Sequence, residues 1–402
     1  MSLVAPDDHA TMWAIIAGGS CLAIWLEQNY RWAMRLSGPV IALLFAMILS
    51  NTGVVSPSTP AADFVETWLV PLAVPLLLCR ANVREIARSG RGLIFAFILA
   101  ALGTLVGTAV AVWSMRGTLG SPNAEHAAGL MTASYIGGGV NFFAIKTTYN
   151  VSGDLTTPLL VADNFIMAGF FIAIISIAAS PWFRARFPHP HSQDLDPNAA
   201  ENLAAKHWKP KEIALLDIAK TFTFAFAVMA ISFALQRWIT GLFASVPGSN
   251  TTLQIVAMLC TNKFVLLTTV SLIFATAFAK PLAKINGPEE FGAYLLMLFL
   301  FCIGLPANLM TVLSNAPELF LFCTIIAIAN VAIPLIIGRL FRLNLEELVL
   351  AMNATLGGPA TAAAMAISAG WTRLVLPGLL IGLLGYAVGT PLGIMIVEMF
   401  RR

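Results

Sequence analysis

The chain alternates between long apolar runs and short polar breaks. The runs fall near residues 12–26, 38–55, 65–80, 91–114, 127–148, 155–181, 217–240, 253–279, 290–309, 317–341, 347–368 and 372–399. A helix needs about 20 apolar residues to cross a bilayer, and most runs come close to that. None alternates in the roughly ten-residue units of barrel strands, and only helices or closed barrels satisfy their backbone in lipid. The pattern predicts an all-α polytopic membrane protein with about 12–13 transmembrane helices. Trp13, Trp25, Trp68, Trp113, Trp182, Trp238 and Trp371 stand at run ends, as an interfacial belt requires.

Composition sharpens this picture. Of 402 residues, 58% are hydrophobic and 11% charged, with a mean hydropathy of +0.83. A soluble domain carries about 25% charged residues, so this chain could not cover a water-exposed surface. The same numbers exclude a nucleic-acid binder, a disulfide scaffold and a disordered chain. The net charge of +3 does not by itself argue for an anionic partner. Cys21, Cys79, Cys260, Cys302 and Cys323 lie inside apolar runs without a CxxC pair and read as small buried hydrophobes. His9, His126, His189, His191 and His207 sit in polar stretches. The acidic start, MSLVAPDDHA, lacks the basic region of a secretory signal, so residues 12–26 are read as a retained first span. The expected location is the bacterial cytoplasmic (inner) membrane, with the lipid bilayer as partner.

One polar segment, 182–216, divides the chain into two expected structural repeats, 1–181 and 217–402. The repeats align without a gap. YIGGGVNFFAI at 135–145 lies on TLGGPATAAAM at 355–365, so Gly137 meets Gly357, Gly138 meets Gly358 and Asn141 meets Thr361. Internal repeats of this kind are common in secondary transporters. Cytoplasmic marks at Arg80, Arg84, Arg88 and Arg91, at Lys280 and Lys284, at Arg339 and Arg342, and at Arg401 and Arg402 make the repeats inverted. Five crossings between spans 127–148 and 347–368 would make them parallel. One segment is therefore miscounted, and 236–262, broken by Pro247-Gly248 and Asn262-Lys263, is the candidate.

Gly137-Gly138-Gly139 and Gly357-Gly358-Pro359 both fall mid-span. Glycine costs a helix about 1 kcal/mol relative to alanine, and Pro359 disfavours helix at the residue before it. Two such sites at matching depth predict unwound elbows whose free carbonyls suit a cation and whose free N–H groups suit an anion. Close helix packing through small residues is the alternative. Thr132, Ser134, Tyr135 and Asn141 surround the first elbow, and Asn353, Thr355 and Thr361 the second. Asp163, in LLVADNFIMAGFF, is the one carboxylate well inside a span, with Asn164 beside it. A charge at that depth costs about 2.5–3.5 kcal/mol on insertion scales and is a functional hypothesis by default. Burial favours the neutral carboxyl and a bound cation the charged one, which suits a site exchanging H+ or Na+. Na+ is expected at Asp163 and Asn141, with Asn164 and Thr361 completing the coupling site. The elbows and their polar neighbours are expected to hold the solute. HExxH, a P-loop and GxSxG are absent, so neither an enzyme nor an ATP-driven pump is expected, and no cofactor beyond the coupling ion.

The runs MTASYIGGGVNFFAI, VADNFIMA, EEFGAYLLMLFLFCIGLPANL and NLEELVLAMNATLGGPATAAAMA resemble the permease-like family called domain of unknown function 819. That family is grouped with the sodium/proton antiporter and bile-acid symporter superfamily. The resemblance implies a panel domain and a core domain, with discontinuous helices 127–148 and 347–368 crossing in the core. Asp163-Asn164 occupies the place of the acidic pair that many antiporters carry. The sequence departs from the superfamily at two places. Asn330 stands mid-span where a lysine often precedes the second crossing helix, and that helix offers Asn353, Thr355 and Thr361 in place of an acid. The reading is a Na+- or H+-coupled symporter of a small, anionic organic solute. A monovalent cation/proton antiporter is the alternative. The panel could also pair two copies as a homodimer.

Overall fold

The computed structural model describes residues 2–30, 33, 38–88, 90–193, 212–243, 256–257, 259–306 and 309–401, and no β-strand occurs among them. Twelve helices carry the twelve apolar runs. They are α1 His9–Asn29, α2 Gly38–Asn51, α3 Pro60–Leu77, α4 Arg91–Leu119, α5 Asn123–Tyr149, α6 Gly153–Ala179, α7 Leu215–Phe243, α8 Lys263–Ala277, α9 Pro288–Gly304, α10 Leu309–Leu340, α11 Leu345–Ser368 and α12 Val375–Phe400. Eight helices among the described residues are long and apolar enough to cross a membrane. Much of the suspected 236–262 break, and residues 194–211 of the polar segment, lie outside the described residues.

The helices pack in two groups. Helices α1, α2, α3, α7, α8 and α9 contact mainly one another, and α4, α5, α6, α10, α11 and α12 form the second group. Small residues set the second group's spacing. A side chain at Gly103 or Gly107 of α4 would run into the backbone of Ala329, Asn330 and Ile326 on α10, so the two helices approach to backbone contact. This is the means by which helices associate where lipid offers no hydrophobic drive.

Helices α5 and α11 are discontinuous at Gly138 and Gly358, but the structure corrects the expectation that they cross: each folds back on itself. The His126 and Tyr149 rings lie 5.8 Å apart, whereas 23 residues of straight helix would separate them by about 35 Å. A Cβ at Gly129 would meet Ile145 at 3.5 Å. In α11, Asn353 Nδ2 reaches the Thr361 carbonyl at 3.2 Å and Met365 Sδ at 3.2 Å, although 12 residues of straight helix span about 18 Å. Each reversal is made at one residue. Gly138 has φ 68° and ψ −176°, and Gly358 has φ 79° and ψ −171°. That region is open in practice to glycine alone. The two positions are the ones the internal alignment superposes. Pro359 then begins the second arm of α11, where a missing N–H costs nothing and a fixed φ suits the helix start.

Helix α12 is the seat for both hairpins. From its beginning to its end, Gly378 meets Leu350, Gly382 meets Pro359, Gly385 meets Ile136, Gly389 meets Ala133 and Asn141, and Gly393 meets Gly129 and Ile145. Hairpin α11 therefore opens beside the start of α12, hairpin α5 opens beside its end, and their tips meet at its middle. Three contacts clamp the open end of α5: Arg116–Glu125 at 2.8 Å, Lys146–Glu66 at 2.8 Å and Tyr149 Oη donating to Glu398 at 2.9 Å. In a background without native cysteines, a His126→Cys/Tyr149→Cys pair is expected to crosslink with a short bifunctional thiol reagent. Failure in folded protein would argue for a through-going α5.

Candidate functional site

The two hairpin tips converge on Tyr386. Its ring lies 3.3 Å from where a Gly138 side chain would begin and 3.4 Å from the corresponding point at Gly358, where its hydroxyl is equally close. Each tip sets the C-terminal end of one arm against the N-terminal end of the next. Carbonyls with partial negative charge and N–H groups with partial positive charge thus meet in one small region. The residue after the first turn, Gly139, is exposed although Gly138 and Val140 are buried, and Gly357, Pro359, Thr361 and Tyr386 are half-buried.

Asn141 and Thr361 stabilise the turns. Asn141 Nδ2 donates to the Gly137 carbonyl at 2.6 Å, and Thr361 Oγ1 to the Gly358 carbonyl at 3.0 Å. Each side chain therefore binds a carbonyl at its own turn. The Asn141 Oδ1 accepts from Thr390 N at 2.9 Å and Thr390 Oγ1 at 2.5 Å, which fastens hairpin α5 to α12. Both ends of the Asn141 carboxamide, expected to share a cation with Asp163, are thus engaged within the protein.

Asp163 lies on α6 beside the first tip and is buried. Its Oδ2 accepts from Ser134 Oγ at 3.1 Å, while its Oδ1 is buried and has no hydrogen-bond partner. The Tyr135 hydroxyl and the Cys323 thiol face the same carboxyl group, and the hydroxyl too is buried without a formed hydrogen bond. Asn164 turns aside and donates to the Leu160 carbonyl of its own helix at 2.7 Å. Thr132 pairs with Thr108 of α4 at 3.0 Å.

Asn330, noted in the sequence only for the lysine it replaces, joins three elements. Its Nδ2 lies 3.0 Å from the Ala100 carbonyl, 2.9 Å from Thr104 Oγ1 and 3.2 Å from Thr355 Oγ1. Thr104 Oγ1 in turn lies 3.2 Å from the Tyr135 carbonyl, so one polar chain runs from hairpin α11 through α10 and α4 to hairpin α5. On the far side, Asn353 Oδ1 is buried and unpartnered. It faces the space at Gly357, where Thr361 Oγ1 and Phe171 of α6 also converge. Buried polar atoms normally have partners, and an exception calls for a water, an ion or a catalytic role. Four such atoms, on Tyr135, Asp163, Asn330 and Asn353, belong to this one region. Tyr386 carries no distinctive mark in the sequence. The available signal was a lone tyrosine inside the last apolar run.

A family model described as "Protein of unknown function (DUF819)" matches residues 14–402. The chain belongs to that family. It is also similar to the "Uncharacterized membrane protein YjcL" of Bacillus subtilis (strain 168), with 40% identity over 394 residues that cover 98% of this chain and 97% of the relative. Both matches run through the hairpins, Asp163 and α12.

Proposed function

We propose that this protein is a secondary active transporter, a Na+- or H+-coupled symporter of a small organic anion. The observation that carries the reading is the meeting of two glycine-turned hairpins at Tyr386, beside a buried carboxylate with an unpaired oxygen. Interrupted backbone at membrane depth is tolerated where it is buried in protein or lines a cavity. Half-helix ends there supply N–H groups for an anion and carbonyls for a cation. Asp163 would hold the coupling ion, with Ser134 as its neighbour. The tip residues Gly139, Gly357, Pro359 and Thr361, with Tyr386, would face the solute.

The same reading makes the halves an inverted repeat. Helices α6 to α10 lie between the hairpins, and an odd number of crossings carries the chain from one end of the bundle to the other. Hairpins opening at opposite ends then need no extra span. Arg91 begins α4, whose Gly92 meets Glu347 at the open end of hairpin α11, and Arg80 Nη2 donates to the Ile285 carbonyl at 2.8 Å. The basic clusters that flank α3–α4, α8–α9 and α10–α11 therefore gather at one end, which the positive-inside rule makes cytoplasmic. Arg401, expected there too, instead pairs with Glu398 at 3.8 Å at the opposite end, beside the open end of hairpin α5. Transport would consist of the hairpin group, carrying Asp163, moving against the group that contains α3 and α9.

Reconstitution tests this. A melting-temperature screen of organic anions, with and without Na+, identifies the solute. Its uptake into proteoliposomes is then expected to require an inward Na+ or H+ gradient. Solute-independent exchange of Na+ for H+ would replace the symport reading with cation/proton antiport. No gradient response under either protocol would remove the transporter reading altogether.

A further inference from the structure

A cavity of about 230 Å³ opens between α3, α7 and α8, lined by Thr67, Trp68, Phe233, Gln236, Arg237 and Lys263. It lies apart from the hairpin tips, and the proposed transport cycle makes no use of it. Arg237 and Lys263 come from different helices and face the same space, and no carboxylate lines it among the described residues. The nearby acid, Glu66, accepts from Lys146 Nζ at 2.8 Å and Thr147 Oγ1 at 3.4 Å. Its charge also acts on Lys263, so it is shared between two lysines and leaves Arg237 without a carboxylate in the cavity lining. Lys263 is also the first residue of α8, following the Asn262 N-cap, whose Oδ1 accepts from Phe264 N at 2.9 Å. A cation there stands at the positive end of the helix dipole. Two like charges converging at an unfavourable position are stabilised by an anion between them. The mouth is aromatic. Trp68 is 46% exposed and packs on Phe233 at 6.4 Å, and Trp238 beside Arg237 is 64% exposed. Exposed tryptophans of this kind sit at the head-group level of a bilayer.

We propose that this cavity binds the phosphodiester head group of an anionic phospholipid. Arg237 and Lys263 would hold the phosphate, and Trp68 and Phe233 would lie along the first acyl carbons. Thr67 and the second amide hydrogen of Gln236, whose Nε2 already donates to the Thr261 carbonyl at 3.0 Å, would meet the ester and glycerol oxygens. In this topology the cavity opens at the end opposite the Arg80 and Lys280 cluster, so the head group would belong to the outer leaflet. There, charge-assisted hydrogen bonds from Arg and Lys to phosphate oxygens supply the attraction.

The test uses the full chain in detergent, with lipid retention measured by native mass spectrometry. Wild type is expected to retain phosphatidylglycerol in preference to phosphatidylcholine. Arg237→Gln and Lys263→Gln are each expected to weaken that retention about fivefold, and the pair about 30-fold. Lys284→Gln, an exposed cation elsewhere, should change nothing. Equal retention of both lipids, an unaffected double variant, or an equal loss in Lys284→Gln would each overturn the proposal. So would saturable binding of glycerol 3-phosphate, lost in the variants, with no preference for the anionic lipid. That outcome would assign the cavity to a free phosphate ester. Arg237 is exposed, so its single variant keeps the test decisive if the double variant does not fold.

Discussion

Asp163→Asn is expected to reduce gradient-driven transport to the level of protein-free vesicles while leaving the melting temperature equal or higher. The two halves of this expectation have one cause. A carboxylate buried among α5, α6 and α10 with a single hydrogen bond from Ser134 is costly to hold there as an ion. Its other oxygen has no formed hydrogen bond, although the Tyr135 hydroxyl faces the carboxyl group. Replacing a poorly compensated buried charge by a neutral group of the same shape tends to stabilise. The Asn carbonyl oxygen can still accept from Ser134, and its amide could donate toward Tyr135. What is lost is the ability to exchange a cation or a proton, so function and stability should separate. A structural carboxylate would behave in the opposite way: melting temperature would fall and the remaining folded protein would transport normally. Either result would remove Asp163 from the coupling mechanism.

Parts of this site are legible in the sequence because they depend on residue chemistry alone. A lone carboxylate in LLVADNFIMAGFF is visible without coordinates, and so are glycine and proline triplets inside apolar runs. The 220-residue offset that superposes Gly138 on Gly358 anticipates two turns with nearly the same φ and ψ. The direction of the chain after each turn is not legible. It depends on the ψ of one glycine and on the contacts along α12 that hold both arms, and neither leaves a mark distinct from that of a helix merely interrupted. Asn141 and Thr361 show the same limit. Their oxygen and nitrogen atoms suggest ligands, yet each is engaged with a carbonyl at its own turn. Tyr386 looks like any interfacial aromatic until its ring is found between two tips. Asn330 looks like a missing lysine until its three acceptors on α4 and α11 are in view.

The three glycines of the first tip, equivalent in sequence, are expected to respond to alanine in three different ways. At Gly138 an alanine must adopt φ 68° with an extended ψ, at a cost of roughly 1–3 kcal/mol for a non-glycine residue. Its Cβ would also press on the Tyr386 ring at 3.3 Å. At Gly137 the backbone is helical, but a Cβ would collide with the Gly385 carbonyl and the Asn141 amide. Overpacking of that kind costs about 1–3 kcal/mol and would push α5 away from α12. At Gly139 the nearest atom is Phe143 Cε2 at 3.7 Å, so alanine fits and could add up to about 1 kcal/mol of helix propensity. Gly358→Ala should match Gly138→Ala, because the second tip makes the same turn against the same ring. Melting temperatures of the four variants decide the matter. Losses at 137, 138 and 358 with none at 139 are the expected pattern. Equal tolerance at 138 and 139 would mean that the chain passes position 138 as ordinary helix, and the meeting of two tips at Tyr386 would no longer stand.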